Sequence, residues 1–164
     1  MTLPPDDLPP RDTQAGHWHV GQWKELTQKG NHCFHNGDTS EAITHYQHAR
    51  DHAIRYFGFW PSEDDATAAL VVSCLNLAEA SLREGQRTEA IHVLCTVHGH
   101  LLMTSHNPLC PESVRTAAQH HLKETLAALS QFEATHGTSP ETTAAIQLTF
   151  QIGPMFHKAG LTLH

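Results

Sequence analysis

Two twenty-residue stretches of the chain align without a gap, and this self-similarity limits the fold more than composition does. "GNHCFHNGDTSEAITHYQHA" (30–49) lies over "AEASLREGQRTEAIHVLCTV" (78–97). Gly37 matches Gly85, Glu41-Ala42-Ile43 matches Glu89-Ala90-Ile91, and Tyr46 matches Leu94, an offset of 48 residues. A glycine between two apolar-periodic stretches reads as a helix end, because glycine enters the left-handed backbone region at no steric cost. The predicted unit is a helix, a short glycine turn and a second helix, used twice.

Helical spacing also accounts for the rest of the chain, and no stretch alternates as a strand would. From about Val20, the residues Trp23, Leu26, Gly30, Cys33 and Phe34 share one face, and "HNGDTSE" interrupts it. Asp38 and Glu41 there have capping-box spacing for a second helix. That helix turns Ala42, Ile43, Tyr46, Ala49 and Ala53 inward, with Gly58 and Pro61 beyond its end and Ser62 placed to cap a third. The third (about 64–84) carries Leu70, Leu75, Leu77, Ala78 and Leu82, and a fourth covers about 88–103. After a loop, Pro111 suits the first turn of a fifth helix (about 112–135) with Val114, Ala118, Leu122, Leu126, Leu129 and Phe132 inward. Ser139 and Pro140 start a sixth, which Gly153 and Pro154 should end or kink. The expected class is all-α. Residues 1–16 hold Pro4, Pro5, Pro9 and Pro10 and read as a disordered tail; 17–164 read as one helical domain. Its units lie at about 20–60 and 64–103, with a degenerate third unit or capping helices at about 111–158.

Charge narrows the partners. A net charge of −7 argues against a nucleic-acid backbone, whose phosphates need clustered Lys and Arg. No apolar run approaches the roughly 18 residues of a membrane span. The opening "MTLPPDDLPPRDT" has proline and acid where a secretory leader needs a basic start and an apolar run. Cys33, Cys74, Cys95 and Cys110 are widely spaced without a CxxC pair, which suits free thiols in a reducing, cytoplasmic setting. No HExxH, phosphate loop, nucleophile elbow or paired-carboxylate motif is present, so no enzyme, catalytic residue or cofactor is expected.

The small residues Gly30, Ala42 and Ala49 with Tyr46, and Ala78 and Ala90 with Leu77 and Leu94, resemble the tetratricopeptide repeat (TPR) family. The resemblance covers roughly residues 20–103. It implies a short right-handed solenoid of TPR-like hairpins whose first repeat is lengthened, since 48 residues exceed the family period of about 34. The lengthening, "ELTQKGN" (25–31) and "LNLA" (75–78) are similar to the repeat domains of immunophilin co-chaperones. Such a stack implies a peptide-binding groove along its first helices, lined here by Lys24, Thr27, Asn31, His35, Asn76, Glu79 and Arg83. In those co-chaperones a carboxylate clamp grips the C-terminus of a heat-shock chaperone. Asn31 and Asn76 match its two asparagines; Thr27 stands where its first lysine would be, and Arg115 and Lys123 lack the spacing of its third-unit cations. The leading expectation is therefore a non-catalytic module binding a protein or peptide, with the clamp as an alternative.

Sixteen histidines suggest a second alternative, a histidine-rich metal-binding protein. His45, His48 and His52 follow one another at i, i+3 and i+7, but two turns span about 10.5 Å, too far for one ion. With Ala42, Tyr46 and Ala49 inward, these histidines are expected on the solvated face. His120 and His121 are expected to point to different sides of the fifth helix. No metal site is predicted.

Overall fold

The computed structural model describes residues 14–159. Its elements are α1 (Gln14–His35), α2 (Thr39–Arg55), a short 3-10 turn (Phe57–Phe59), α3 (Glu63–Arg83), α4 (Arg87–His106), α5 (Glu112–His136) and α6 (Pro140–Ala159). There is no strand among the described residues, and the protein is all-α. Helix α2 packs between α1 and α3, and α4 between α3 and α5; α3 also meets α5, and α6 rests on α4 and α5.

Three glycines set the path of the chain. Gly37, Gly85 and Gly137 have φ of 87°, 74° and 82°, and each joins one helix to the next. At the first two turns the hydrogen bonds repeat. Asp38 N–H donates to the Cys33 carbonyl at 2.9 Å, and Gln86 N–H to the Ser81 carbonyl at 2.8 Å. Both satisfy an otherwise orphaned helix-end carbonyl. The third turn closes on a shorter loop, Gly137 N–H to the Glu133 carbonyl at 3.0 Å.

Small residues bring the helices close. Ala42, Ala49, Ala53, Ala66, Ala80 and Ala90 are fully buried, and Leu77, Leu101, Leu102 and Leu129 fill the spaces between them. Gly30 is needed because a methyl group there would lie 2.5 Å from Cε1 of Tyr46. Trp60 is 2% exposed and meets Trp23 edge-on, with ring centres 5.7 Å apart. It is core, and Phe59 beside it is half-buried against His19. Trp23 Nε1–H donates to Ser73 Oγ at 2.8 Å and ties α1 to α3. Helix α3 is the one described helix long and apolar enough to cross a membrane, and 61% of that stretch is buried inside the molecule.

Several local expectations shift. Helix α1 starts at Gln14, so residues 14–16 are helical and Gly16 is buried; the rest of the expected tail, and 160–164, lie outside the described residues. Ser62 does cap α3, its Oγ accepting from Asp65 N–H at 3.0 Å, and Ser139 Oγ likewise accepts from Thr142 N–H at 3.1 Å before Pro140. Asp38 precedes α2 without a side-chain cap bond, because its backbone is bound into the glycine turn. Pro111 occupies the N-cap of α5, one residue before the helix. Helix α6 runs past Gly153 and Pro154 to Ala159.

Candidate functional site

The seven expected groove residues all lie on α1 and α3, but they do not share one role. Lys24 and Glu79 are exposed and Asn76 is half-buried. Thr27 departs from expectation: it is 8% exposed, and its hydroxyl is buried without a partner. The register of α1 explains this, since Thr27 and Gly30 are three residues apart on the stripe turned into the protein. Asn31 is exposed, yet its Oδ1 accepts the Tyr46 hydroxyl at 2.8 Å, so it braces the first hairpin. His35 turns back on its own helix, with Nδ1 2.6 Å from the Asn31 carbonyl. The Arg83 guanidinium lies 3.7 Å above the Phe34 ring centre and donates to the Phe34 carbonyl at 3.0 Å. This pins the end of α3 to the end of α1. Burial, and then the nearby Glu79 carboxylate, push the Tyr46 phenol above its ordinary range.

A cleft of about 250 Å³ opens one hairpin further along. Leu75, Ala78 and Leu82 of α3, Leu94 of α4, and Ala128 and Phe132 of α5 give it an apolar floor. Glu79, Gln131, Thr135 and His136 supply polar groups. Glu79 is the one expected groove residue in its lining, while Leu75, Ala78, Leu82 and Phe132 are expected as core. The α5 side had a signal, Ala128–Phe132 beside Gln131–Thr135 at i, i+4, but nothing in α5 alone says that it faces α3. A second cleft, about 330 Å³ and mostly apolar, lies between α2, α3 and α4, with Ile54, Leu70, Cys74, Val93 and Val97 in its wall. Burial pushes the Cys74 thiol up to about 12 and also raises Cys95, so neither is a ready thiolate.

The glycine turns and both clefts fall within residues 21–152, which the model of a family described as "Protein of unknown function (DUF2753)" matches. The chain belongs to the DUF2753 family. No curated protein and no solved structure matches it.

The histidines of this DUF2753 chain are less peripheral than their helical spacing implies. His48 is exposed as expected, but His52 Nε2 donates to the His19 carbonyl at 3.0 Å. Its ring packs 4.7 Å from Tyr56, and His19 stacks on Tyr56 at 4.0 Å. Burial holds both imidazoles below their ordinary pKa. His45 is half-buried, with a buried Nδ1 that has no partner. The inward face of α2 is therefore wider than Ala42, Tyr46 and Ala49 alone define, because α1 continues N-terminally alongside it.

His98 sits in the interior at 1% exposure. Its Nδ1 is 2.9 Å from Thr125 Oγ1 and its Nε2 2.7 Å from Thr149 Oγ1, bridging α4 to α5 and α6. A neutral ring donates from one nitrogen and accepts at the other, so one of the two threonines turns its proton to the ring. Desolvation lowers the His98 pKa. His120 and His121, expected to diverge, instead both reach Asp64 of α3. Hydrogen bonding from His120 holds the Asp64 carboxyl below its usual range.

Proposed function

We propose that this chain is a non-catalytic protein-binding module, a short right-handed solenoid of three TPR-like hairpins. The occupant of its α3–α5 cleft is a partner peptide or helix presenting one apolar anchor with basic residues beside it. The observation that carries this reading is the cleft itself: an apolar floor with a few polar groups at its rim suits one anchoring side chain and an oriented backbone. Supporting the stack is the order of packing, in which α2 and α4, the second helices of the first two hairpins, each lie between two first helices and α3 meets α5 directly. Glu79 at the rim and a net charge of −7 favour a basic flank over an acidic one.

The carboxylate clamp draws less support. Thr27 is buried, Asn31 already accepts the Tyr46 hydroxyl, and Arg83 is engaged with Phe34. A C-terminal carboxylate needs charge-assisted donors that converge; Thr27 carries no charge and Arg83 is held on Phe34, which leaves the Asn31 amide N–H as a neutral donor without a cation beside it. Free thiols at Cys33, Cys74, Cys95 and Cys110 support a cytoplasmic setting. The burial of α3 supports a chain that is not membrane-spanning, and the acidic balance one that does not bind nucleic acid.

A displayed random-peptide library panned on the full chain tests the reading. The expected result is enrichment of peptides with an aromatic or aliphatic anchor near Lys or Arg. Their affinity should fall at least tenfold with Glu79→Lys, which reverses the rim charge, and with Ala128→Phe, which fills the floor. No enrichment, or enriched peptides that bind both variants as well as the parent, would refute it. Enrichment of peptides with acidic C-termini would restore the clamp.

A further inference from the structure

Asp64 stands in the first turn of α3, and His120 and His121 stand midway along α5, 56 and 57 residues later. His120 Nδ1 lies 2.7 Å from Asp64 Oδ1, and His121 Nε2 lies 3.2 Å from the same oxygen. Neighbouring helical residues point about 100° apart, so they reach one atom only when it lies between them and each uses a different ring nitrogen. His120 uses its near nitrogen and His121 its far one. The ligand atoms of the three residues lie within 4.8 Å of one another.

His121 decides what this cluster is for. It is 5% exposed, and its Nε2 is buried without a hydrogen-bond partner despite lying 3.2 Å from Asp64. On the other side of the ring, Nδ1 lies 3.0 Å from Glu124 Oε1. Both neighbours are carboxylates that only accept, and Nε2 makes no hydrogen bond, so a neutral ring has its proton on Nδ1 toward Glu124 and its Nε2 lone pair toward the Asp64 oxygen. A lone pair facing an anionic oxygen at that distance is repulsive unless a proton or a metal ion lies between them, and a proton shared with Asp64 would make the hydrogen bond that Nε2 lacks. Glu124 thus stands where an outer carboxylate orients a metal-binding imidazole and makes it more basic.

We propose that Asp64, His120 and His121 bind one Zn²⁺, with Glu124 as the residue that positions His121. Two imidazoles and a carboxylate are a donor set for zinc, and three protein ligands leave a coordination position for water. Bonds of about 2.0–2.2 Å set tetrahedral ligand atoms roughly 3.3–3.6 Å apart. The closest pair here must separate and the farthest approach. Asp64 and His120 can make that change, because their side chains are 49% and 65% exposed while His121 stays fixed by packing. Beside Asp64 the surface opens into a depression lined by Ser62, Glu63, Glu112 and Thr116, which gives the ion a route in and adds negative charge. The ion would join the start of α3 to the middle of α5, linking the second hairpin to the third.

The test uses the purified full chain, Zn²⁺ calorimetry, and the visible spectrum of Co²⁺ as a stand-in for zinc. One equivalent of Zn²⁺ should bind and raise the melting temperature. Asp64→Asn and His120→Ala should each weaken binding at least tenfold and abolish the Co²⁺ bands, and Glu124→Gln should weaken it about 10–100-fold. His48→Ala, an exposed histidine elsewhere, should change nothing. His121→Ala empties a buried position and can fail to fold, so the two exposed ligands carry the test, with circular dichroism to check their fold. Zn²⁺ affinity that is unchanged in the Asp64→Asn/His120→Ala double variant, or no saturable binding at all, overturns the proposal. So does a His121 ring that ¹⁵N NMR finds protonated on both nitrogens with Zn²⁺ in excess, because it is then an imidazolium held by two carboxylates.

Discussion

In the first hairpin the ring of Tyr46 lies against the bare backbone of Gly30; at the same places in the second stand Leu94 and Ala78. The turns beside these crossings are nearly the same, with a left-handed glycine and a six-to-one hydrogen bond in each. The two hairpins therefore share a hinge and differ in how they divide one space between two helices. A large ring requires no side chain opposite, whereas a smaller one leaves room for a methyl. The polar neighbours differ accordingly. Asn31 is drawn in to receive the Tyr46 hydroxyl, and its counterpart Glu79 is left at the rim of a cleft. The first hairpin spends its polar residue on itself, and the second has one to offer.

Copying the second crossing into the first gives the largest effect. Gly30→Ala alone should destabilise by about 1–3 kcal/mol through overpacking, partly offset by the better helix propensity of alanine. Tyr46→Leu alone should cost a comparable amount, because the ring leaves a cavity above Gly30 and its bond to Asn31 is lost. The double variant Gly30→Ala/Tyr46→Leu should be less destabilised than the sum of the two, by about 1 kcal/mol or more. Urea denaturation of the four proteins measures this. Strict additivity would mean that the crossings are not equivalent after all.

Protonation divides the molecule differently. His98 couples α4 to α5 and α6, while His19 and His52 pack beside Tyr56 in the first hairpin, and burial lowers all three pKa values from 6.5. Such a ring takes up a proton less readily when folded than when unfolded. Its stabilising contribution is full above pH 6.5 and declines as the pH falls through that value toward the folded-state pKa. Unfolding free energy should accordingly drop between pH 7.5 and 5.5. His98→Gln should be less stable at pH 7.5 but show a shallower drop. If the slope is unchanged, the loss arises in the first hairpin, and His52→Gln should then remove it.

Much of this architecture was legible because it is local. The glycine turns, the Ser62 and Ser139 caps and the alanine-rich crossings each follow from residues within a turn or two of one another. What periodicity could not show was where one helix meets another far along the chain. Thr27 reads as a groove residue from its place in a motif, yet the register of α1 turns it inward. His52 reads as surface until its bond to the His19 carbonyl, 33 residues away, is known. The same holds for His120 and His121, whose common partner is on another helix. Of the seven groove residues, Glu79 alone lines the α3–α5 cleft, since the opposite wall comes from α5, beyond the repeat that drew attention.

The smallest expected effect separates the two asparagine and glutamate counterparts most cleanly. Asn31→Ala removes the acceptor of the hydroxyl of buried Tyr46 and should cost about 0.5–1.5 kcal/mol of stability. Glu79→Lys exchanges an exposed side chain and should stay within about 0.5 kcal/mol. Peptide affinity should reverse the order, with the cleft variant impaired and Asn31→Ala nearly unchanged once the fraction folded is accounted for. Measuring both variants by urea denaturation and by fluorescence anisotropy with one enriched peptide makes the contrast direct. A binding defect in Asn31→Ala equal to that of Glu79→Lys would place the ligand across both hairpins, and Asn31 would then serve the groove as well as the fold.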